Sequence, residues 1–255
     1  MKDAFDAARQ KVRRAVIELR RPSPVSLSAP FHTSSGDIQR VLDDWSNPAL
    51  SSALMNAAAT TADVRQHILD TAKPIMLCKG FTGVGLNEIL AAAGVPKGSF
   101  YHYFGSKEAF GESILESYFA DYLAHLDTLL VRGSGPAADR LMRYWSQWQD
   151  MQAGNDPEGK CLVVKLGAEV CDLSEAMRAA LDRGTTQIVA RLAACIAAAF
   201  EDGSLQVDLD PQQTAATLYE LWVGATLIEK IRRNGAPLAT AMATTRRILG
   251  LPGAR

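Results

Sequence analysis

The stretch that most constrains this chain runs from Leu86 to Lys107 and reads LNEILAAAGVPKGSFYHYFGSK. Apolar residues at helical spacing predict a short helix over Leu86–Ala93, and the Gly94–Pro96 segment interrupts it. A second short helix is predicted over Lys97–Phe104. Two short helices joined by a tight turn that contains glycine form a helix-turn-helix, whose second helix can enter the major groove of DNA.

The rest of the chain is predicted to be helical as well. Amphipathic helical periodicity recurs from Thr60 onward, and no segment shows the alternation typical of strands. The predicted fold is all-α: a three-helix head at residues 60–107 and a helical body at residues 108–255. The first helix is expected to begin near Thr60 and to kink or break near Pro74, because proline cannot donate a helical hydrogen bond.

Residues 1–59 differ in composition from the rest of the chain. They combine a basic segment with a linker rich in proline and serine, RPSPVSLSAPFHTSSG. We predict a poorly ordered or accessory extension, with a basic arm on the DNA backbone as the alternative interpretation.

Overall composition excludes several classes of protein. The formal net charge is −1, so any nucleic-acid contact must come from a local basic patch. Four cysteines without a CxxC pair argue against a zinc site or a secreted disulfide framework, and neither a metal nor another cofactor is predicted. No apolar run approaches the roughly 20 residues needed to span a bilayer, and no signal peptide is recognisable. The prediction is a cytoplasmic protein without membrane contact.

The second helix of the motif carries an unusual density of hydrogen-bonding side chains. Phe100 and Phe104 are four residues apart and are expected to face inward. The remaining polar side chains of the helix and its flank would then face outward, where lysines neutralise phosphates and hydroxyl groups bond phosphate oxygens. Base readout is expected near the N-terminus of the helix, from Lys97 or Ser99.

These residues resemble a known family. The segment GFTGVGLNEILAAAGVPKGSFYHYFGSKEAF is similar to the DNA-binding head of the TetR family of bacterial transcriptional repressors. The matching features are the GF after the first helix, the helix that ends in AAAGV, the KGSFYHYF recognition helix and the SK that opens the next helix. The resemblance implies a repressor, not an enzyme, and DNA contacts from Thr82, Lys97, Ser99, Tyr101, His102, Tyr103 and Lys107.

The body resembles one branch of that family. The segment GKCLVVKLGAEVCDLSEAMRAALDRG and the later LYELWVGATLIEKI are similar to the NemR-like branch, whose members respond to reactive electrophiles and oxidants. Cys161 follows a Gly–Lys break and is predicted to open a helix, where backbone N–H groups and Lys160 and Lys165 would favour the reactive thiolate. A small buried hydrophobic residue is the alternative role for this cysteine. The predicted sensor residues are Cys161, Lys165 and Cys171.

Cys171 lies ten residues after Cys161, roughly 15 Å away along an unbroken helix, so a disulfide between them would require that helix to break. Cys78 and Cys195 are predicted to be structural. An effector cavity is a further hypothesis, with plain core packing as the alternative. Its candidate lining residues are Tyr118, Tyr122, Trp145, Trp148 and Trp222.

Two C-terminal helices, residues 211–231 and 236–249, carry apolar faces that one body is not expected to cover. We predict a homodimer through these helices, bound to a palindromic operator in double-stranded DNA, since two half-sites require two heads. The apolar positions are Ala215, Leu218, Leu221, Trp222, Ala225 and Ile228.

The predicted function is a TetR-type repressor that leaves its operator when a reactive electrophile or oxidant modifies a cysteine. The alternative is a repressor of the same type that responds to a reversibly bound apolar or aromatic molecule, with inert cysteines. An enzyme with Cys161 as nucleophile and an architectural DNA-binding protein are the remaining hypotheses.

Overall fold

The computed structural model describes residues 48–153 and 161–252. The sequence predictions for residues 1–47 and for Lys160 lie outside the described residues. Contacts between residues divide the chain into two units, Met1–Ala57 and Ala58–Arg255. Of the first unit, only the opening turns of one helix are described, and all side-chain contacts given below belong to the second.

We call helices α1 to α3 the head and helices α4 to α9 the body, after the division predicted from the sequence. Their bounds are α1 Pro48–Lys79, α2 Leu86–Ala93, α3 Lys97–Phe104, α4 Lys107–Leu126, α5 Ala137–Ala153, α6 Leu162–Leu173, α7 Glu175–Glu201, α8 Pro211–Arg232 and α9 Ala236–Ile248. A five-residue π-helical turn, Asp127–Val131, extends α4. The prediction of an all-α chain with a helix-turn-helix over Leu86–Phe104 is confirmed.

Helix α1 differs from the prediction in two ways. It begins at Pro48, twelve residues before the predicted start at Thr60, and it continues through Pro74, so the predicted break is absent while the predicted kink stays a prediction. The residues around Pro74 that face inward, Ala72 and Met76, are fully buried, and this packing offsets the hydrogen bond that proline cannot donate. Tertiary packing therefore overrides the local preference of proline for a break.

The turn between α2 and α3 depends on its glycine. Gly94 caps α2 in the left-handed conformation with φ of 65°, which glycine adopts without steric cost. Phe100 and Phe104 of α3 pack against Phe110 of α4, with ring centroids 5.0 and 4.8 Å apart. The His67 ring bonds the Ala93 carbonyl oxygen at 3.1 Å, so α1 also holds the end of α2. The head is thereby fixed to the start of α4.

The body is built around α7, which packs against α4, α5, α6 and α8. Ser106 caps α4, its hydroxyl accepting from the Ala109 N–H at 3.0 Å, and Ser174 caps α7 in the same way from Met177. Close approach of α4 and α7 depends on Gly184, because a methyl group there would overlap the Phe119 ring. In the described part of the chain, no helix has the length and apolar character of a membrane span.

Candidate DNA-binding surface and thiol site

The outer face of α3 presents the side chains that the sequence assigned to DNA. Lys97, Tyr101 and His102 are exposed, while Ser99 and Tyr103 are half-buried. Tyr101 is 46% exposed although it is a large aromatic residue, and the Lys97 ammonium lies 5.9 Å from its ring. Because Phe100 and Phe104 anchor the opposite face, this arrangement presents polar donors and one cation on a rigid surface.

Thr82 and Lys107, the other two residues assigned to DNA, are engaged with the protein itself. The Lys107 ammonium donates to the Phe81 carbonyl oxygen at 3.0 Å and lies 4.8 Å from the centre of the Phe81 ring. Thr82 is exposed, yet its N–H and hydroxyl both donate to the Glu169 carboxylate of α6. In this structure both residues hold the loop between α1 and α2.

Glu169 fastens that loop to the body. Its two oxygens accept from the Phe81 N–H at 3.1 Å, the Thr82 N–H at 2.5 Å and the Thr82 hydroxyl. Gly80, with φ of 83°, allows the approach, since a Cβ there would lie 2.9 Å from the Glu169 oxygen. One turn earlier on α6, the Lys165 ammonium donates to the Cys78 carbonyl oxygen at 2.9 Å. One face of α6 therefore holds the end of α1 and the loop after it.

The Glu169 carboxylate remains charged at neutral pH. Partial burial acts to raise its pKa, but hydrogen bonds from Thr82 and Phe81 and the charge of Lys165 lower it, and the net direction is downward. Hydrogen bonds to an ionised acceptor are stronger than neutral ones. The contact between α6 and the loop is therefore a charge-assisted one.

Cys161 occupies the N-cap position of α6, as the sequence predicted. The prediction that its surroundings favour the thiolate is wrong, because burial raises the pKa of the thiol. Backbone N–H groups of Val164 and Val163, the charge of Lys230 and a hydrogen bond from the Tyr118 hydroxyl act to lower that pKa and offset burial only in part. The thiol is therefore mostly protonated at neutral pH.

The other predicted sensor residues lie elsewhere. Lys165 is directed to the Cys78 carbonyl of the head and is not among the groups that lower the Cys161 pKa. Cys171 is exposed near the opposite end of the unbroken α6. Cys195 is buried, which fits its predicted structural role, whereas Cys78 is exposed and its side chain is no part of the core.

The five aromatic residues predicted to line a cavity separate into two groups. Trp145 and Trp222 are fully buried and stacked, with centroids 5.0 Å apart, and Trp148 donates to the Thr226 hydroxyl at 2.9 Å. The rings of these tryptophans pack on one another and fill the core between α5 and α8. Tyr118 and Tyr122 instead stack on each other beside Cys161, with centroids 5.8 Å apart.

A groove of about 330 Å³ lies between the start of α6, the middle of α7 and the first half of α8. Its walls include Val163, Val189, Ala216, Tyr219 and Val223. None of the five aromatic residues proposed from the sequence is in its lining. The groove reaches Val163, two residues beyond Cys161, so the thiol site and the groove are neighbours.

Sequence reasoning missed four residues at these sites: Glu169, Lys230, Tyr144 and Tyr219. Glu169 follows Lys165 by four residues, a spacing that places both on one helical face. That spacing was the available signal, but their partners lie 87 or 88 residues away in the chain. Lys230, Tyr144 and Tyr219 approach Cys161 from α5 and α8, and nothing local to the sequence marks them.

Toward its C-terminal end, α8 exposes large apolar side chains. Ala215, Leu218 and Trp222, expected from the sequence to await a partner, are fully buried within the protomer. Ile228, which the sequence also placed on this face, is exposed, and the outward stripe consists of Leu227, Ile228 and Ile231, which are 50%, 37% and 72% exposed. This stripe lies closer to the C-terminus of α8 than most of the predicted apolar positions, because the opening turns of the helix pack on α7.

Family models match both parts of the chain. Residues 68–114 match bacterial regulatory proteins of the tetR family, and residues 137–245 match a tetracyclin repressor-like C-terminal domain. The HTH-type transcriptional repressor NemR of Escherichia coli K12 is 45% identical over 193 residues, which are 76% of this chain and 97% of NemR. The repressor DhaR of a Mycobacterium species is 37% identical over 175 residues, which are 69% of this chain and 86% of DhaR.

Solved structures give the same result. The crystal structure of the reduced form of E. coli NemR superposes with a TM-score of 0.70 at 44% identity, covering 75% of this chain and all of that one. A TetR regulatory protein from Rhodobacter sphaeroides superposes with a TM-score of 0.63 at 33% identity, covering 71% of this chain and 96% of that one. With these matches over both head and body, the chain belongs to the TetR family and is a transcriptional repressor of that type rather than an enzyme.

Proposed function

We propose that this repressor binds a palindromic operator as a homodimer and leaves it when a reactive electrophile or oxidant modifies Cys161. The observation that carries the proposal is the position of Cys161 at the start of α6, the helix whose Glu169 holds the loop at Thr82. Eight residues separate Cys161 from Glu169, roughly 12 Å along the helix axis. A change at the thiol therefore has a short, rigid connection to the head.

The DNA-contacting residues in this proposal are those predicted from the sequence. Lys97, Tyr101 and His102 are exposed on α3 and available to DNA. Thr82 and Lys107 would reach phosphates from the adjoining loop and from the start of α4. The head (residues 60–107) reads the operator, the body (residues 108–255) senses and dimerises, and the protein acts in the cytoplasm.

The switch has a physical basis in the burial of Cys161. The thiol is half-buried among tyrosine side chains, so an added group must displace packed neighbours. Displacement of the start of α6 would weaken the hold of Glu169 on the loop. A difference of about 1–3 kcal/mol between the two states gives the 5- to 150-fold change in affinity typical of such coupling.

The groove supports a second candidate, a repressor that responds to a reversibly bound small molecule. Its aliphatic walls at Val163, Val189, Ala216 and Val223 suit an apolar ligand. A ligand there would also press on the start of α6. In that case the cysteines would be chemically inert and release would be reversed by dilution.

Replacing Cys161 with serine separates the two candidates. The assay follows the fluorescence anisotropy of labelled DNA from the region upstream of the gene, while quinones, aldehydes or hypochlorite are added. We expect release from the wild-type protein and from Cys171→Ser, and little or no release from Cys161→Ser. Equal release from wild type and Cys161→Ser would reject the cysteine mechanism, and recovery of binding on dilution would favour the reversible ligand.

A further inference from the structure

Four phenol side chains surround Cys161. Tyr118 and Tyr122 come from α4, Tyr144 from α5 and Tyr219 from α8. The Tyr118 hydroxyl bonds the Cys161 sulfur and approaches the Leu162 N–H, while the Tyr122 and Tyr144 hydroxyls bond each other at 3.0 Å. Three of the four hydroxyl groups are therefore engaged.

The Tyr219 hydroxyl is different. It is buried, in a side chain that is 6% exposed, and it has no hydrogen-bond partner among the residues that the structure describes. A buried polar group without a partner destabilises the folded state, and phenylalanine would give the same ring packing against Trp148 without that cost. The Tyr219 hydroxyl is thus a hydrogen-bond donor without an acceptor, and it lies near the Cys161 sulfur.

The groove offers a small molecule a binding site beside Tyr219 and the start of α6. Tyr219 and Val163 both line it, together with three further aliphatic and four polar side chains: Val189, Ala216, Val223, Thr185, Thr186, Gln212 and Glu220. Val163 is two residues from Cys161, which places one end of the groove next to the thiol site. Burial raises the pKa of all four phenols, which keeps them protonated as hydrogen-bond donors at neutral pH.

We propose that Tyr219 donates a hydrogen bond to the carbonyl oxygen of an α,β-unsaturated carbonyl compound and so selects this class of electrophile for Cys161. The proposal rests on the proposed function and adds the group that recognises the inducer. An apolar molecule with one acceptor oxygen matches the aliphatic side chains of the groove and the Tyr219 hydroxyl, which is the one buried donor without a partner among the described lining residues. Tyr219 is a binding residue in this scheme, and Cys161 is the group that reacts.

The reaction is an addition without an oxidant. The Cys161 sulfur attacks the β-carbon and forms an S–C bond, the π electrons of the C=C bond move toward the carbonyl oxygen, and the Tyr219 hydroxyl stabilises the enolate that develops there. The thiol proton ends on the α-carbon, so the net change is addition of S–H across the double bond. A donor aimed at a developing oxyanion accelerates such steps because the charge is greatest in the transition state.

Acrolein and allyl bromide test the proposal because both have a three-carbon skeleton with a terminal double bond and only acrolein has a carbonyl. Allyl bromide alkylates the sulfur with loss of bromide. The full-length reduced protein is treated with each reagent, and modification of Cys161 is followed by peptide mass spectrometry. Tyr219→Phe is expected to slow reaction with acrolein roughly tenfold or more and to leave reaction with allyl bromide unchanged.

The two reagents distinguish recognition of the carbonyl group from a general change in the packing around Cys161. Unchanged acrolein rates in Tyr219→Phe, or equal slowing with both reagents, would overturn the inference, since the second result reports altered packing. The melting temperature of Tyr219→Phe should equal or exceed that of the wild type, because an unpartnered hydroxyl is removed. Operator binding by fully modified wild-type protein would count against the proposed function alone, since the rate comparison does not involve DNA.

Discussion

At the scale of single residues, Cys161 shows two opposing influences on a thiol. The N-cap position and the Lys230 charge favour the thiolate, and burial among phenols disfavours it. Burial prevails and the net shift raises the pKa. Sequence alone reveals the first influence, because the N-cap is a local feature, but not the second, because the phenols come from three other helices.

This balance predicts a particular pH dependence. The free thiol has a pKa of about 8.5, so a raised pKa leaves less thiolate at neutral pH, and the rate of alkylation should rise about tenfold per pH unit through pH 8.5. The measurement is the rate of Cys161 alkylation by a neutral reagent between pH 6 and 10, with N-acetylcysteine as reference. A plateau of the Cys161 rate below pH 8 would contradict the raised pKa.

At the scale of helices, the head could be predicted from sequence and its attachment to the body could not. The bounds of α2 and α3 follow from apolar spacing and from the glycine and proline between them, all within 19 residues. The contact of Glu169 with Phe81 and Thr82 joins positions 88 and 87 residues apart. No local pattern encodes such a pairing, which arises only when α6 is placed against the head.

Glu169→Gln tests whether this contact transmits the change at Cys161. Glutamine keeps the shape of the side chain but replaces one acceptor oxygen with an amide that cannot accept from the Thr82 or Phe81 donors. In the wild type, modification of Cys161 should raise the Kd for operator DNA, and in Glu169→Gln the ratio of modified to unmodified Kd should fall toward one. Anisotropy titrations before and after complete modification give both ratios.

The matched control is Glu175→Gln, since that exposed carboxylate on α7 bonds only Arg178 within its own turn among the contacts the structure describes. It should retain the wild-type ratio. A wild-type ratio in Glu169→Gln would show that the signal reaches the head by another route.

Close packing of α4 and α7 gives a second test of helix arrangement. Gly184→Ala places a methyl group inside the Phe119 ring, and overpacking of this kind destabilises proteins by about 1–3 kcal/mol. Gly167→Ala on α6 is the control, because its methyl group meets only the Val163 side chain at 4.0 Å. Helix propensity should make that variant more stable, by roughly 0.5–1 kcal/mol. Urea unfolding at one protein concentration measures both.

For these glycine variants, a Gly184→Ala protein as stable as the wild type would mean that α4 and α7 lie further apart than described. A loss of stability in Gly167→Ala comparable to that of Gly184→Ala would point instead to a general effect of replacing helical glycines.

At the scale of the whole molecule, one chain leaves the apolar stripe on α8 uncovered. Ile231 follows Leu227 by four residues and Ile228 by three, so its side chain lies on the same face of the helix as theirs. Two such stripes related by a two-fold axis would bury each other, and the two heads would then face the two halves of a palindrome. The sequence indicated an apolar face that includes Ile228, but most of its predicted positions lie too early along the helix, because burial against α7 cannot be seen in one helix alone.

Leu227→Glu tests this assembly, with Leu173→Glu as the matched control. Both leucines are 50% exposed, so the two variants make the same chemical change on surfaces of the same accessibility. A pair of glutamates facing each other across the two-fold axis would bury two unpaired charges, so Leu227→Glu should be monomeric at micromolar concentration by light scattering. Its affinity for a full palindrome should fall to that for a half-site, while Leu173→Glu at the end of α6 should remain a dimer with wild-type affinity. A dimeric Leu227→Glu, or a monomeric Leu173→Glu, would place the subunit interface on a different face of the body.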